Sequence, residues 1–490
     1  MKKKADFSRH SSIITKLFLC AGALLFLLIG VGSVHADSTQ TAVVATAAAD
    51  YSSYGISAIT VDPKTGPRIA VNNLLAGSNG STVKAFGQYY YRIEQFQADN
   101  VTKVDISAPN TPIWQYSTQN TGEANSSNPY DLVFVSSTKA YLLRYGSTKA
   151  WIVNPSTTSE AGFKIGELDL SAYTDADGAP EMCCGVIANG KLFIVMQRIV
   201  DWCPTDIAYV AVFDTATDTE INTGMGSGNR IGIPLTIKNP NSIQYIAENN
   251  RIYVQGIGSY PGGSCDPVYD YTGGIESINP VTYASSIVLD DGDATTHPYG
   301  AISGMLIASP TKGYFVGYAG WGNNTLYAFN PATGAVSGAI TGLQNINISG
   351  MNSGTYLDKN AMMWVCDSSN AQIKIVDTMN NTVNENVATN LNPQKVAFCT
   401  KGTPLAPTLG ATISGNNVMA HWNTVSGAEG YYLWVSEPAT GWTGFWNWGT
   451  STSVSTTVAA GKSYYVSVIP YNAEGSGAAS NVVQLKTDAE

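Results

Sequence analysis

One phrase recurs along this chain at intervals of 43 to 65 residues, and it limits the fold more than any other feature. It is a strand-like stretch that closes on Asn or Asp: AITVDPKTG, TKVDISAPN, AWIVNPSTT, VAVFDTATD, IESINPVTY, LYAFNPATG and IKIVDTMNN. The turn residues are Asp62, Asp105, Asn154, Asp214, Asn279, Asn330 and Asp377. Apolar and polar residues alternate up to a turn-former, the pattern of a strand running into a hairpin. Between copies lies a proline followed by an apolar strand, at Pro129, Pro180, Pro240, Pro298 and Pro393, with NINISGM near Asn347 filling the last gap. A third strand phrase follows each of these, as in KAYLLRYG, KLFIVMQR and RIYVQGIG.

Each unit thus carries about four short strands and no helical period, the signature of a β-propeller blade. Over residues 50–400 the phrases resemble the exported bacterial propellers of the YVTN/NHL-like group. The resemblance implies an all-β ring of seven blades, with six as the alternative because the last unit lacks a clear second strand. The chain starts midway through a unit, so residues 54–76 are expected to complete the blade begun at Pro393, which leaves no open sheet edge there.

The N-terminus reads as a signal peptide over residues 1–36. Lys2, Lys3, Lys4, Arg9 and Lys16 precede an apolar run from Leu17 to Val31, and Val34 and Ala36 suit a cleavage site. Its removal takes away five of the 26 basic residues and one of the 36 acidic ones, leaving a net charge of −14. That excludes nucleic acid as a partner, since phosphate binding needs clustered cations. No later segment is apolar enough to span a membrane. Only His297 and His421 survive cleavage, so multihaem electron transfer is excluded and histidine-based catalysis disfavoured. The expected location is extracellular, periplasmic or on the cell surface.

TPLAPTL introduces a linker over 401–408. The segment 404–490 then resembles a fibronectin type III domain: NVMAHWN, GYYLWVSE and the strand from Tyr464 to Asn472, in which Tyr464 takes the tyrosine-corner position. Alternation points Val418, Ala420, Trp422, Leu433, Val435, Tyr464, Val466 and Val468 inward. Tyr432, Trp434, Tyr465, Ile469 and Tyr471 then face out. Placing Trp446 and Trp448 outward with them makes an aromatic face, for docking on the propeller or for a ligand.

Loops after the second strand and loops leading into the first share one face of a propeller. Here they bring Arg198, Asp201, Trp202, Tyr260 and Trp321 to one rim, with Asp175, Asp177, Asp290 and Asp293. Loops held by a rigid scaffold favour ligand sites, so the rim residues and Trp434, Trp446 and Trp448 are the candidate ligand contacts. DADG at 175–178 resembles a fragment of a calcium loop without the third acidic residue or closing Glu. Asp175 and Asp177 are therefore candidate Ca²⁺ ligands, and no other cofactor is expected.

The mature chain keeps six cysteines, an even number suited to disulfides in an exported protein. Cys183 and Cys184 point to opposite sides of a regular strand, so one is expected to reach Cys203 and the other Cys265. A vicinal bond with Cys203–Cys265 is the alternative, and Cys366–Cys399 would staple the sixth blade to the closing strand. The leading functional expectation is a non-enzymatic binding or adhesion protein whose propeller face meets a protein or polysaccharide. The rivals are a lactonase- or lyase-like propeller enzyme, against which the absence of a nucleophile–base motif counts, and a structural subunit of an envelope complex.

Overall fold

The repeat phrases become antiparallel four-stranded sheets in the computed structural model, which describes residues 39–78, 80–351 and 356–487. The expected signal peptide lies outside the described residues. Each turn Asn or Asp from Asp105 onward ends or follows a third strand and folds its carboxyl or amide back onto the chain. Asp105 Oδ1 accepts the N–H of Ser107 at 2.8 Å, Asn154 Oδ1 that of Ser156 at 3.0 Å, and Asp377 Oδ1 that of Met379 at 2.8 Å. These are Asx turns, the mechanism that makes the two residue types recur at this point. Asp62 pairs instead with Lys359 at 2.7 Å.

The proline phrases are first strands, as in Pro129–Ser136 and Pro240–Ile246, and first strands of successive sheets pack side by side. The result is a β-propeller. In the sheet that joins the two ends of the ring, Asn392–Lys401 pairs with Thr39–Ala47, which pairs with Tyr54–Thr60, and Ala70–Val71 lies at the edge. The strand at 39–47 precedes the 50–400 range read from the repeats. It carries no turn phrase of its own, and its pairing partner lies some 350 residues away in sequence.

The expected Cys366–Cys399 bond is absent, and both residues are buried thiols. Strand alternation explains this. Val396 and Phe398 face the apolar cluster that holds Cys366, whereas Ala397 and Cys399 face the opposite cluster, with Val83 and Tyr90. The closing strand itself separates the two sulfurs.

Residues 409–487 form two packed sheets. One contains Leu409–Ser414, Asn417–Trp422 and Ser453–Thr457; the other is built on Gly430–Glu437, Trp442–Gly449 and Ser463–Asn472. Val418, Ala420, Trp422, Leu433, Val466 and Val468 fill the space between them, with Val435 and Tyr464 partly buried against it. The expected positions of Trp446 and Trp448 are corrected. The unbroken register from Glu437↔Trp442 to Tyr432↔Asn447 sets Trp446 opposite core-facing Leu433. Directly paired residues share a face, so Trp446 lies on the inner side of an edge strand. Trp448 packs against the core and donates its Nε1–H to Ser453 O at 3.0 Å. The outer face is made instead by Tyr432, Trp434, Phe445 and Tyr471, with the Tyr432 ring 4.9 Å from Phe445 and 4.6 Å from Tyr471.

That outer face does not dock. Contact with the propeller runs through the other sheet and its loops: Gly87 N donates to Ser426 Oγ at 2.7 Å, and Gly190 N to Thr452 Oγ1 at 3.2 Å. Gly87 and Gly190 occupy turns between first and second strands, at the end of the propeller opposite the candidate rim. A chamber of about 550 Å3 lies there, lined by Lys84, Asp131, Cys184, Gln244 and Lys395 of first strands and by Leu405, Asn423 and Ser426 beyond the ring.

Candidate functional site

In several sheets the residue just before the first strand turns the chain sharply in left-handed backbone. Asn128 has φ +46°, Asn239 +48° and Gly300 +68°. These are the residue types that tolerate such angles. The equivalent position ahead of Met182–Ala188 is Glu181, at φ +51°. A long carboxylate held where Asn or Gly would be at ease is strain retained for its side chain.

Glu181 is buried, at 3% exposure, and its carboxylate joins those of Asp175 and Asp177 with ligand oxygens within 4.8 Å of one another. It supplies the third acidic group that DADG lacks. One oxygen is fixed by the framework, since Ile199 N donates to Glu181 Oε2 at 3.1 Å. Burial first, and then the charges of Asp175 and Asp177, push Glu181 up to about 9. Burial, and then its neighbour Asp177, raise Asp175 to about 6. Three carboxylates this close cannot all stay ionised unless a cation neutralises them; otherwise they must share protons.

Beside this corner opens a pocket of about 730 Å3. Its walls include Asp177, Glu181, Asp201 and Trp202 from one blade, and Phe96, Gln97, Gln119, Asn125, Asn128 and Tyr145 from the two preceding ones. Asp99 organises the amide side: its Oδ1 accepts from Ser126 Oγ at 2.8 Å, Ser127 Oγ at 3.0 Å and Asn128 N at 2.7 Å, while Gln119 Nε2 donates to Oδ2 at 3.1 Å. Trp202 stands at the mouth with 79% of its surface exposed and φ +65°, and Phe96 across the pocket is 60% exposed. The arrangement presents flat apolar rings, amides and carboxylates around one concavity.

Of the expected rim residues, the fold brings Asp201, Trp202, Asp177 and Asp175 to this corner. Arg198 is corrected: it is 3% exposed, and its guanidinium is used up on the framework. Nε donates to Tyr173 O at 2.8 Å, Nη1 to Ile207 O at 2.8 Å and Nη2 to Asp206 Oδ2 at 3.0 Å. Tyr260 packs edge-on against Tyr318 at 5.3 Å, Trp321 is exposed on a later loop, and neither lines the pocket. Asp290 and Asp293 cap their own loop, accepting from Gly292 N and Thr296 N at 2.8 and 2.7 Å. The rim loops are stapled by Cys203–Cys265. This corrects the expected bonds from Cys183 and Cys184 to those two residues; both adjacent cysteines are buried thiols.

Reading the sequence alone misses Glu181, Asp99 and the amide side chains. No sequence signal marked Glu181: the proline phrase puts Ala179 where Asn precedes Pro129 and Pro240, and only the strand pairing aligns Met182 with those two prolines.

No known protein family matches the sequence, and no curated protein does. Similar solved structures include Kuenenia stuttgartiensis hydrazine synthase, 13% identical over 71% of this chain and 95% of that one, with a TM-score of 0.42. AztD from Citrobacter koseri is 12% identical over 92% of this chain and 100% of its own, with a TM-score of 0.40. The Dos1 propeller is 9% identical over 77% and 85%, with a TM-score of 0.44. At such scores the likeness carries no argument, and the propeller rests on the chain's own sheets. Among the described residues no helix is long and apolar enough to cross a membrane.

Proposed function

We propose that this is an exported binding protein: a seven-bladed propeller of the YVTN/NHL-like kind, followed by a fibronectin type III module, whose rim pocket takes a polysaccharide at the cell surface. Seven four-stranded sheets support the blade count, and the three-plus-four arrangement of the main strands supports the module. The leader sequence and the rim disulfide support export. The observation that carries the ligand reading is Trp202, a bulky ring in left-handed backbone, exposed beside amides and carboxylates. Sugar rings offer C–H faces to aromatic side chains and hydroxyls to amides and carboxylates, which is what this wall presents. The acidic lining and net charge favour neutral or amino sugars over polyanions. Asp175, Asp177 and Glu181 are oxygen ligands suited to Ca²⁺, which would neutralise the corner and could bridge to sugar hydroxyls.

Glycan-array screening of the mature protein with Ca²⁺, followed by calorimetry on the best oligosaccharide, tests the reading. Trp202→Ala should weaken binding about tenfold, the scale of one lost aromatic contact. Unchanged affinity, or no glycan bound, overturns it.

A second reading, a lyase- or lactonase-like propeller enzyme, is favoured by the protonated Glu181 beside a less perturbed partner. Carboxyl groups with separated affinities for protons divide acid and base roles. Turnover of the bound glycan or of a lactone panel, lost in Glu181→Gln, would select it.

A further inference from the structure

Adjacent residues on a regular strand project to opposite faces, yet the sulfurs of Cys183 and Cys184 lie 3.4 Å apart. A β-bulge is responsible. The pairing skips from Met182↔Met196 to Cys184↔Val195, so two residues oppose one and both thiols turn to the same side. The bulge recurs at Tyr130 and Asn241 in the flanking sheets. It belongs to the architecture, and this blade alone of the three places two cysteines on it.

The two thiols differ in surroundings. Cys184 lines the chamber at the propeller axis, sharing its wall with Lys84, Asp131 and Lys395. Cys183 does not line it; its Sγ donates to Pro240 O at 3.3 Å, and burial pushes its thiol well up. One sulfur faces the chamber, whose wall also carries Lys395 and the Lys84–Asp131 ion pair at 2.7 Å. The other stands behind it as a protonated thiol within contact.

We propose that Cys183 and Cys184 form a reversible dithiol–disulfide pair, a two-electron site addressed from the chamber by a small peroxide. Cys184 Sγ attacks one peroxide oxygen, the O–O bond breaks, and Cys184 sulfenic acid and water are formed. The Cys183 sulfur then attacks Cys184 Sγ; the S–O bond breaks, the S–S bond forms, and the Cys183 proton leaves with the hydroxide as a second water. Two thiols and one peroxide give one disulfide and two waters. Neighbouring Cα atoms sit about 3.8 Å apart across a trans peptide, closer than an unstrained disulfide prefers. The product is therefore strained and readily returned to the dithiol by an external thiol. In this it differs from Cys203–Cys265, whose Cα atoms are 5.6 Å apart.

The test counts thiols in the mature protein. It is reduced, desalted, exposed to hydrogen peroxide, unfolded and alkylated, and the peptide carrying both residues is weighed. The expected result is the loss of two alkylatable thiols, both from this peptide, which becomes two hydrogens lighter. A thiol reductant should restore it, with Cys366 and Cys399 untouched. In Cys183→Ser the sulfenic acid has no partner, and dimedone should label Cys184; in Cys184→Ser it should label nothing. An unchanged thiol count in the unmutated protein overturns the proposal, whatever the variants do. So does equal oxidation of Cys366 or Cys399, or dimedone on Cys183 in Cys184→Ser.

Discussion

The Nε2 atom of His421, in the C-terminal sandwich, lies 2.9 Å from the carbonyl oxygen of Ala247, on a propeller turn. A carbonyl only accepts, so the ring carries its proton on Nε2, and the side chain is 1% exposed. Burial holds this imidazole below its ordinary 6.5, against the smaller opposing effect of the Ala247 contact. A base whose affinity for protons is depressed by folding contributes stability that is present above its unfolded value and lost as pH falls. Docking of the module should therefore weaken as pH drops below 6.5, read as increased proteolysis in the strand-free segment 402–408 that leads from the closing strand into the sandwich. His421→Gln, which keeps a donor and cannot charge, should flatten this dependence; His421→Ala should loosen the module at neutral pH as well.

Glu181 gives the opposite sign of argument. Folding raises its affinity for a proton from 4.5 to about 9, so its contribution is fullest below 4.5 and declines as pH rises across that interval. The melting temperature of the calcium-free protein should fall over this range, and Glu181→Gln should remove much of the slope. Added Ca²⁺ should raise the melting temperature most at the alkaline end, where all three carboxylates are ionised. No Ca²⁺ effect in the unmutated protein would leave protons alone to neutralise the corner.

The two kinds of aromatic residue in the module should respond in opposite ways. Trp422 has no exposed surface and fills the space between the sheets, so Trp422→Ala should cost about 3–5 kcal/mol. Phe445 is 55% exposed on the outer face, and Phe445→Ala should cost under about 1 kcal/mol. Chemical denaturation of the whole protein, followed by module fluorescence, separates them.

The rim staple closes a 62-residue separation between Cys203 and Cys265. Cys203→Ser with Cys265→Ser should lower stability by about 2–4 kcal/mol. It should also weaken ligand binding, because Trp202 is the neighbour of Cys203 and loses its anchor. A melting curve and the oligosaccharide titration read the two effects separately.

What the sequence determined by itself was periodic. Alternation and Asx turns are local physics, so the strands, the repeat and the core residues of the sandwich could be read without a structure. The inward set around Trp422 follows from alternation alone, because each strand there is unbroken. Readings failed where one residue was added to a strand or where partners came from separate blades. Pairing with Leu433 put Trp446 on the inner side, which alternation along its own strand cannot fix, and the bulge at Cys183 brought two thiols together that a regular strand would keep apart. A single added residue reverses the facing of everything beyond it, and no composition signal marks it. Arg198 looked like a ligand contact until its fork met the carbonyls of Tyr173 and Ile207. The pocket is the clearest case. Gln97, Asn128, Asp177 and Trp202 come from loops of three successive blades, and only the packing of blade on blade sets them around one space.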